Sequence, residues 1–150
     1  MLRSLIDTTD SRIAMLARLA LGIVIFPHGA QNLLGWYGGP GLEGALGSYS
    51  GLGIPSFLGW LVILTEFAGG LALIIGFLGR VMALAIAITL VVAVLTLHWS
   101  VGFFMNWNGQ LNGEGFEFHI LAITLALIVM ILGSGAVSVD RVLTTRPATA

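Results

Sequence analysis

Cysteine is absent from the 150 residues, which removes disulfides, a Cys-x-x-Cys relay, thiolate ligation of iron–sulfur clusters and a thiol nucleophile. Redox chemistry, if the chain takes part in any, must use groups that something else supplies. Lysine is absent too. The six basic residues are all arginine, the net charge is -1, and no basic patch exists to hold nucleic acid or to tether the chain to anionic lipid. Charge of either sign is scarce, at 9% of residues, while 57% are hydrophobic and mean hydropathy is +1.02. A water-soluble domain would not stay in solution with that balance, and the apolar residues come in long blocks rather than amphipathic stripes, so the solvent they imply is lipid.

A helix needs about 20 apolar residues to cross the hydrocarbon core. Four segments supply roughly that length: Ile13–Leu34, Pro55–Leu78, Val81–Ser100 and Phe116–Leu132. The expected fold is all-α, a transmembrane four-helix bundle in a single domain. The opening MLRSLIDTTDSR has no small-residue cleavage site, so the first helix is expected to be retained. Four crossings put both termini on one side. Arg3, Arg12, Arg80, Arg141 and Arg146 fall on that side, whereas the loops Gly35–Gly53 and Val101–Gly115 contain no basic residue. The positive-inside rule therefore places both termini in the cytoplasm. Between spans two and three only Gly79 and its neighbours remain, which forces a tight antiparallel hairpin with Arg80 at its turn. The Gly-rich outer loop between helices 1 and 2 is expected to lie along the interface and cap the bundle, with one short helical turn near Glu43–Ser48.

Ionisable groups at bilayer depth cost about 2.5–3.5 kcal/mol each and need a partner or a function. Arg18, His28, Glu66, His98, Glu117 and His119 qualify as ligand- or proton-handling candidates. At 1.5 Å per residue, Arg18 lies roughly 9 Å from the cytoplasmic end, Glu66 roughly 18 Å, His28 roughly 24 Å and His98 roughly 27 Å, with Glu117 and His119 near that last level. Arg18, Gly22, Ile25, Gly29 and Asn32 share one stripe of the first span, with His28 on its flank. Glu66 lines up with Gly59 and Gly70, and Gly69 lies beside them. Gly22, Gly29, Gly69 and Gly70 are the expected packing positions, where small residues let helices approach. The plainer readings stay open: Glu66 as a neutral carboxyl or an ion pair with Arg18, the histidines as hydrogen-bonding neighbours near span ends, and Glu117 as a helix-start acid. A three-histidine metal or haem site is disfavoured, because there is no cysteine and no close histidine pair on one helix.

The string RLALGIVIFPHGAQNLLG at Arg18–Gly35 resembles the first-helix signature of the DoxX family of small four-helix bacterial membrane proteins. GGPGL at Gly38–Leu42, GLGIP at Gly51–Pro55, TEFAGG with GFLGR between Thr65 and Arg80, and HWSVGFF with GFEF between His98 and Phe118 follow in the family's order. The resemblance runs from about Arg18 to Arg141. It implies a subunit of a membrane oxidoreductase assembly, of the kind that serves quinone-linked sulfur oxidation or oxidative-stress defence, in the bacterial inner membrane. It carries over Arg18, Gly22, His28, Gly29, Glu66, Gly69, Gly70, Arg80, His98, Gly102 and Glu117. Family members usually have lysine where this chain has Asn32, which puts in doubt any role for a cation there.

The leading expectation is thus a quinone-interacting or proton-handling subunit. An apolar pocket of the bundle would admit the carrier, His28, Glu66 or His98 would meet its carbonyls, and a larger membrane or peripheral redox protein would supply electrons. The alternatives are a non-catalytic scaffold for such an enzyme and, third, a small-solute or lipid carrier working as a homo-oligomer.

Overall fold

The computed structural model describes residues 5–145, so Arg3 and Arg146 lie outside the described residues. Helix α1 (Arg12–Leu34) starts where the Ser11 side chain accepts from the Ala14 N–H, and ends at Gly35 in the left-handed region. After a 3₁₀ turn at Trp36–Gly38, α2 covers Gly41–Gly51. Helix α3 runs over Ser56–Ile75 and α4 over Gly79–His98. A long loop leads to α5 (Glu117–Leu132) and a short α6 (Val139–Thr144) closes the described chain.

Helix α2 is more than the single turn expected at Glu43–Ser48: it has 11 residues, despite glycines at 41, 44, 47 and 51. Packing overrides the poor propensity, because Ala45 is buried and α2 lies against both α1 and α3. Near a bilayer, a helix also satisfies backbone groups that a loop would leave unpaired.

The four long helices form a closed ring of neighbours, α1 against α3, α3 against α4, α4 against α5, and α5 back against α1. Their common core contains Leu21, Ile25, Leu73, Ile86, Leu90 and Val129. Outward-facing positions are as apolar as the core: Ile13, Leu61, Leu95, Leu121 and Ile131 are each at least 60% exposed. That inside-out equality is how a chain solvated by lipid looks, and it makes this a helical membrane protein. Helices α1, α3 and α4 are long and apolar enough to cross a bilayer, whereas α5 has 16 residues, about 24 Å at 1.5 Å per residue.

Both described chain ends and the α3–α4 turn lie at one end of the bundle, the terminal end; α2 and the 99–116 loop lie at the other, the loop end. The expected hairpin is present. Gly76 adopts φ 74°, which stops α3, and α4 begins at Gly79. A Cβ on Gly76 would strike Ser138, so the turn needs glycine both for its conformation and for the close pass of the C-terminal segment.

Glycine also sets the α1–α3 crossing. A Cβ on Gly22 would come within 2.8 Å of the Gly70 carbonyl oxygen, one on Gly70 within 2.8 Å of Phe26 Cα, and one on Gly29 would collide with the backbone of Phe67. Gly69 differs: its Cβ would meet Ile86 of α4 at an ordinary 3.6 Å.

Candidate functional site

The ionisable residues separate by level. At the terminal end, Arg18 is 1% exposed and all its donors point at backbone carbonyls. Nε donates to Ser134 O at 2.6 Å, Nη1 to Leu73 O at 2.8 Å and Ile74 O at 2.7 Å, and Nη2 to Val137 O at 2.5 Å and Ala136 O at 3.4 Å. The guanidinium thus caps the end of α3 and ties α1 to the segment after α5, using carbonyls a helix end leaves free. Beside it Asp140, also buried, accepts from the N–H groups of Leu78 at 2.8 Å and Gly79 at 3.0 Å and from the Ser134 hydroxyl at 2.5 Å. Arg80 donates to the carbonyls of Met130 and Ile131 and to Asp7 O at 3.0 Å. This end is a latch of buried polar groups. Neither Ser134 nor Asp140 stood out in the sequence; the one local signal is Ser138, whose side chain caps α6.

The ion pair considered between Arg18 and Glu66 does not form, because every Arg18 donor is already taken at and around the Ile75 end of α3, about two turns from Glu66. Glu66 instead accepts from Asn32 Nδ2 of α1 at 2.9 Å. It sits in a π-helical turn, Thr65–Gly69, which interrupts α3 where α1 approaches most closely. Tyr49 of α2 leans over the same site, and burial together with the nearby Glu66 carboxylate pushes its hydroxyl up to about 12.

Two histidines of different helices meet at the loop end. His98 occupies a second π-helical turn, Val94–His98, and its ring centroid lies 4.2 Å from that of His119 in the first turn of α5, the planes tilted by 45°. His98 Nδ1 is 2.7 Å from the carbonyl oxygen of Glu114. His119 is buried, at 7% exposure, and its Nδ1 has no hydrogen-bond partner among the described residues. His28 of α1 is exposed on the bundle surface but lies within electrostatic reach of His119. Among the described residues, no three His, Asp or Glu side chains are arranged to hold a metal ion. π-helical turns concentrate at functional positions, and here each carries an ionisable side chain.

Glu117 points the other way, to the 99–116 loop. It accepts from the Met105 N–H at 2.9 Å and from Trp107 Nε1 at 3.2 Å, while Glu114 accepts from the Asn106 N–H at 2.7 Å. The loop is closed by backbone bonds from Phe116 N to Gly102 O and from Glu117 N to Phe103 O. Between this loop and α5 lies an apolar groove of about 620 Å³, lined by Phe103, Met105, Trp107, Glu117, Phe118, Ile120 and Leu121. Neither His28, Glu66 nor His98 lines it, so a carrier in this groove would not meet the three groups expected to hold it. The aromatic residues of VGFFMNW were the sequence signal for this wall, visible as interfacial residues but not as a cavity.

The DoxX family model matches residues 13–99, from α1 through α4. Inner membrane protein YqjF of Escherichia coli K12 is 36% identical over 130 residues, covering 86% of this chain and 90% of its own. The chain belongs to the DoxX family. A Bacillus subtilis protein named "Putative oxidoreductase CatD" is 25% identical over 126 residues, 84% of this chain and 83% of that one. No solved structure gives a significant match. The family match places α1, α3 and α4, with Arg18, His28, Glu66 and His98, on the shared framework, whereas Glu117 and His119 lie beyond its last matched residue.

Proposed function

We propose that this DoxX protein is a four-span subunit of a redox assembly in the bacterial inner membrane and that a quinone-type carrier occupies the groove between the 99–116 loop and α5. The groove carries the reading: about 620 Å³ is the size of small-molecule sites, its wall is apolar and aromatic, and one acid, Glu117, stands within it. An oxidoreductase name on one relative agrees with a redox setting. The short α5 completes a fourth crossing with help from the loop folded over its start. Arg12, Arg80 and Arg141 all gather at the terminal end, which supports placing that end in the cytoplasm. With no cysteine in the chain, electrons would come from a partner protein.

Titrating purified protein in nanodiscs with decylubiquinone while following tryptophan fluorescence tests this reading. Saturable quenching that drops at least about tenfold in affinity for Leu121→Trp, which fills the groove, is the expected result. Non-saturable quenching, equal in both proteins, would overturn it.

A specific observation favours a scaffold as the second reading. The Glu117 carboxylate is already engaged by Met105 N and Trp107 Nε1, as it would be if its task were only to hold the loop as a docking surface. On that reading a larger enzyme co-purifies with the chain and keeps its turnover when the groove is filled. The solute-carrier reading gains no support from a core packed with Leu21, Ile25, Leu73 and Ile86.

A further inference from the structure

Glu117 holds the loop with only half of its carboxylate. The Met105 N–H and Trp107 Nε1–H both donate to Oε1, at 2.9 and 3.2 Å, and among the described residues no donor bonds to Oε2. Nor is Oε2 sealed in. The one enclosed side-chain polar atom without a partner among the described residues is His119 Nδ1, so the free oxygen of Glu117 keeps accessible surface. The rest of the groove wall offers nothing of the opposite kind. Its side chains hold a single N–H, that of Trp107, and it is spent on Glu117. Met105 contributes a thioether, which is a weak acceptor, and the remaining side chains, Phe103, Phe118, Ile120 and Leu121, are hydrocarbon. A ligand carbonyl can only accept, so it finds no side-chain donor free in this wall. A ligand hydroxyl donates, and it finds Oε2.

We propose that the groove selects the reduced, hydroxyl-bearing form of the carrier: a quinol donates an O–H to Glu117 Oε2, whereas the matching quinone brings only lone pairs to an oxygen that has only lone pairs. Glu117 is then the residue that sets specificity as well as the anchor of the loop. The inference rests on the proposed occupancy of the groove by a quinone-type carrier and adds which redox form the groove holds. Binding alone is involved; no covalent bond changes and no electron moves. The same wall supplies the way in. Ile120 and Leu121 are exposed on a helix read as spanning the bilayer, so one edge of the groove meets lipid, and an apolar carrier reaches Glu117 without crossing water. A hydrogen bond to a charged acceptor in an apolar wall is among the stronger ones, and a partner that cannot make it leaves the carboxylate desolvated and unpaired.

The test titrates the full chain, ¹⁵N-labelled at tryptophan and held in nanodiscs without oxygen, with decylubiquinol, decylubiquinone and the dimethyl ether of decylubiquinol. The readout is the Trp107 indole resonance, assigned by its loss in Trp107→Phe. Decylubiquinol should saturate at a concentration at least about tenfold below the other two, because the ether keeps the ring and tail but has no hydrogen to donate. Glu117→Gln keeps one oxygen for Met105 and Trp107 and puts an NH₂ group in place of Oε2, so in that variant the preference should reverse toward the quinone. The three compounds compared in wild type need no variant, and they decide the matter even where the substitution unsettles the loop. Equal affinities for all three would overturn the selection and leave the carrier in the groove. Tighter binding of the quinone to wild type would put a hydrogen on Oε2 and overturn the selection as well. A quinol preference unchanged in a Glu117→Gln protein that unfolds at the wild-type temperature would overturn Glu117 as its source. No saturable binding of any of the three would overturn the carrier and the selection together.

Discussion

Asn32 reaches from α1 to α3 and donates its side-chain amide hydrogen to Glu66 Oε2 at 2.9 Å. This bond sits one turn beyond Gly29, where the two backbones touch, so it locks the crossing where the helices have no freedom to adjust. Removing the donor leaves a carboxyl at bilayer depth without its partner. Asn32→Leu should destabilise the protein by about 1–3 kcal/mol. Asn32→Lys should replace the hydrogen bond by an ion pair and stay close to wild type. Thermal unfolding in mild detergent decides, and a leucine variant as stable as wild type would remove Asn32 from the account.

Glycines 29 and 69 look alike in sequence and differ in space. Gly29→Ala should separate α1 from α3 and lower stability by at least about 2 kcal/mol, as overpacking does. Gly69→Ala has room against Ile86 and gains helix propensity of up to about 1 kcal/mol. The pair should move the unfolding midpoint in opposite directions or leave the second unchanged; equal losses would contradict the packing.

Arg18 cannot be replaced by another cation. Its acceptors lie on α3 and on the segment after α5, and a lysine ammonium with three donors cannot span them. Arg18→Lys and Asp140→Ala should each cost on the order of 2–4 kcal/mol. Both should raise proteolysis between Gly133 and Thr145 before the helices are attacked. Protease resistance of that segment in both variants would refute the latch.

Tyr49 supplies a pH signature. Its hydroxyl is pushed up to about 12 by burial and by the nearby Glu66 carboxylate, so folding favours the neutral phenol. The stability this contributes is fully present below the ordinary value of about 10 and is lost as pH rises through about 12. Phenolate absorbance should show a tyrosine step near 12 that vanishes in Tyr49→Phe, and that variant should lose less stability than wild type between those pH values. A wild-type titration complete by about pH 10.5 would contradict the burial.

Much of this architecture is legible from residues alone because hydropathy in a bilayer is a one-dimensional signal. The positions of α1, α3 and α4 follow from run length, and the small stripe Gly22, Gly29, Asn32 marks the face toward α3. The convergence of His98 with His119 was not legible, since it depends on a π-helical turn at Val94–His98 that adds a residue and re-aims the ring. The partners of Arg18 were not legible for a related reason: its acceptors are backbone carbonyls, which every residue owns and no residue type advertises. The groove at Phe118 arises from a loop folding back through Gly102 and Gly115, where a Cβ on Gly115 would strike the Phe103 and Phe104 backbone.

The buried guanidinium of Arg18 also imposes an order on the chain's birth. Its first acceptors, Leu73 and Ile74, are 55 and 56 residues downstream, and the remainder begin at Ser134, 116 residues downstream of the arginine. At roughly 5–20 residues per second on the ribosome, α1 must wait roughly 3–11 seconds for partial satisfaction and about as long again for the rest. During that interval the arginine has to stay near the headgroups or beside the insertion machinery, so α1 is expected to settle at its final depth only after the last helix is made.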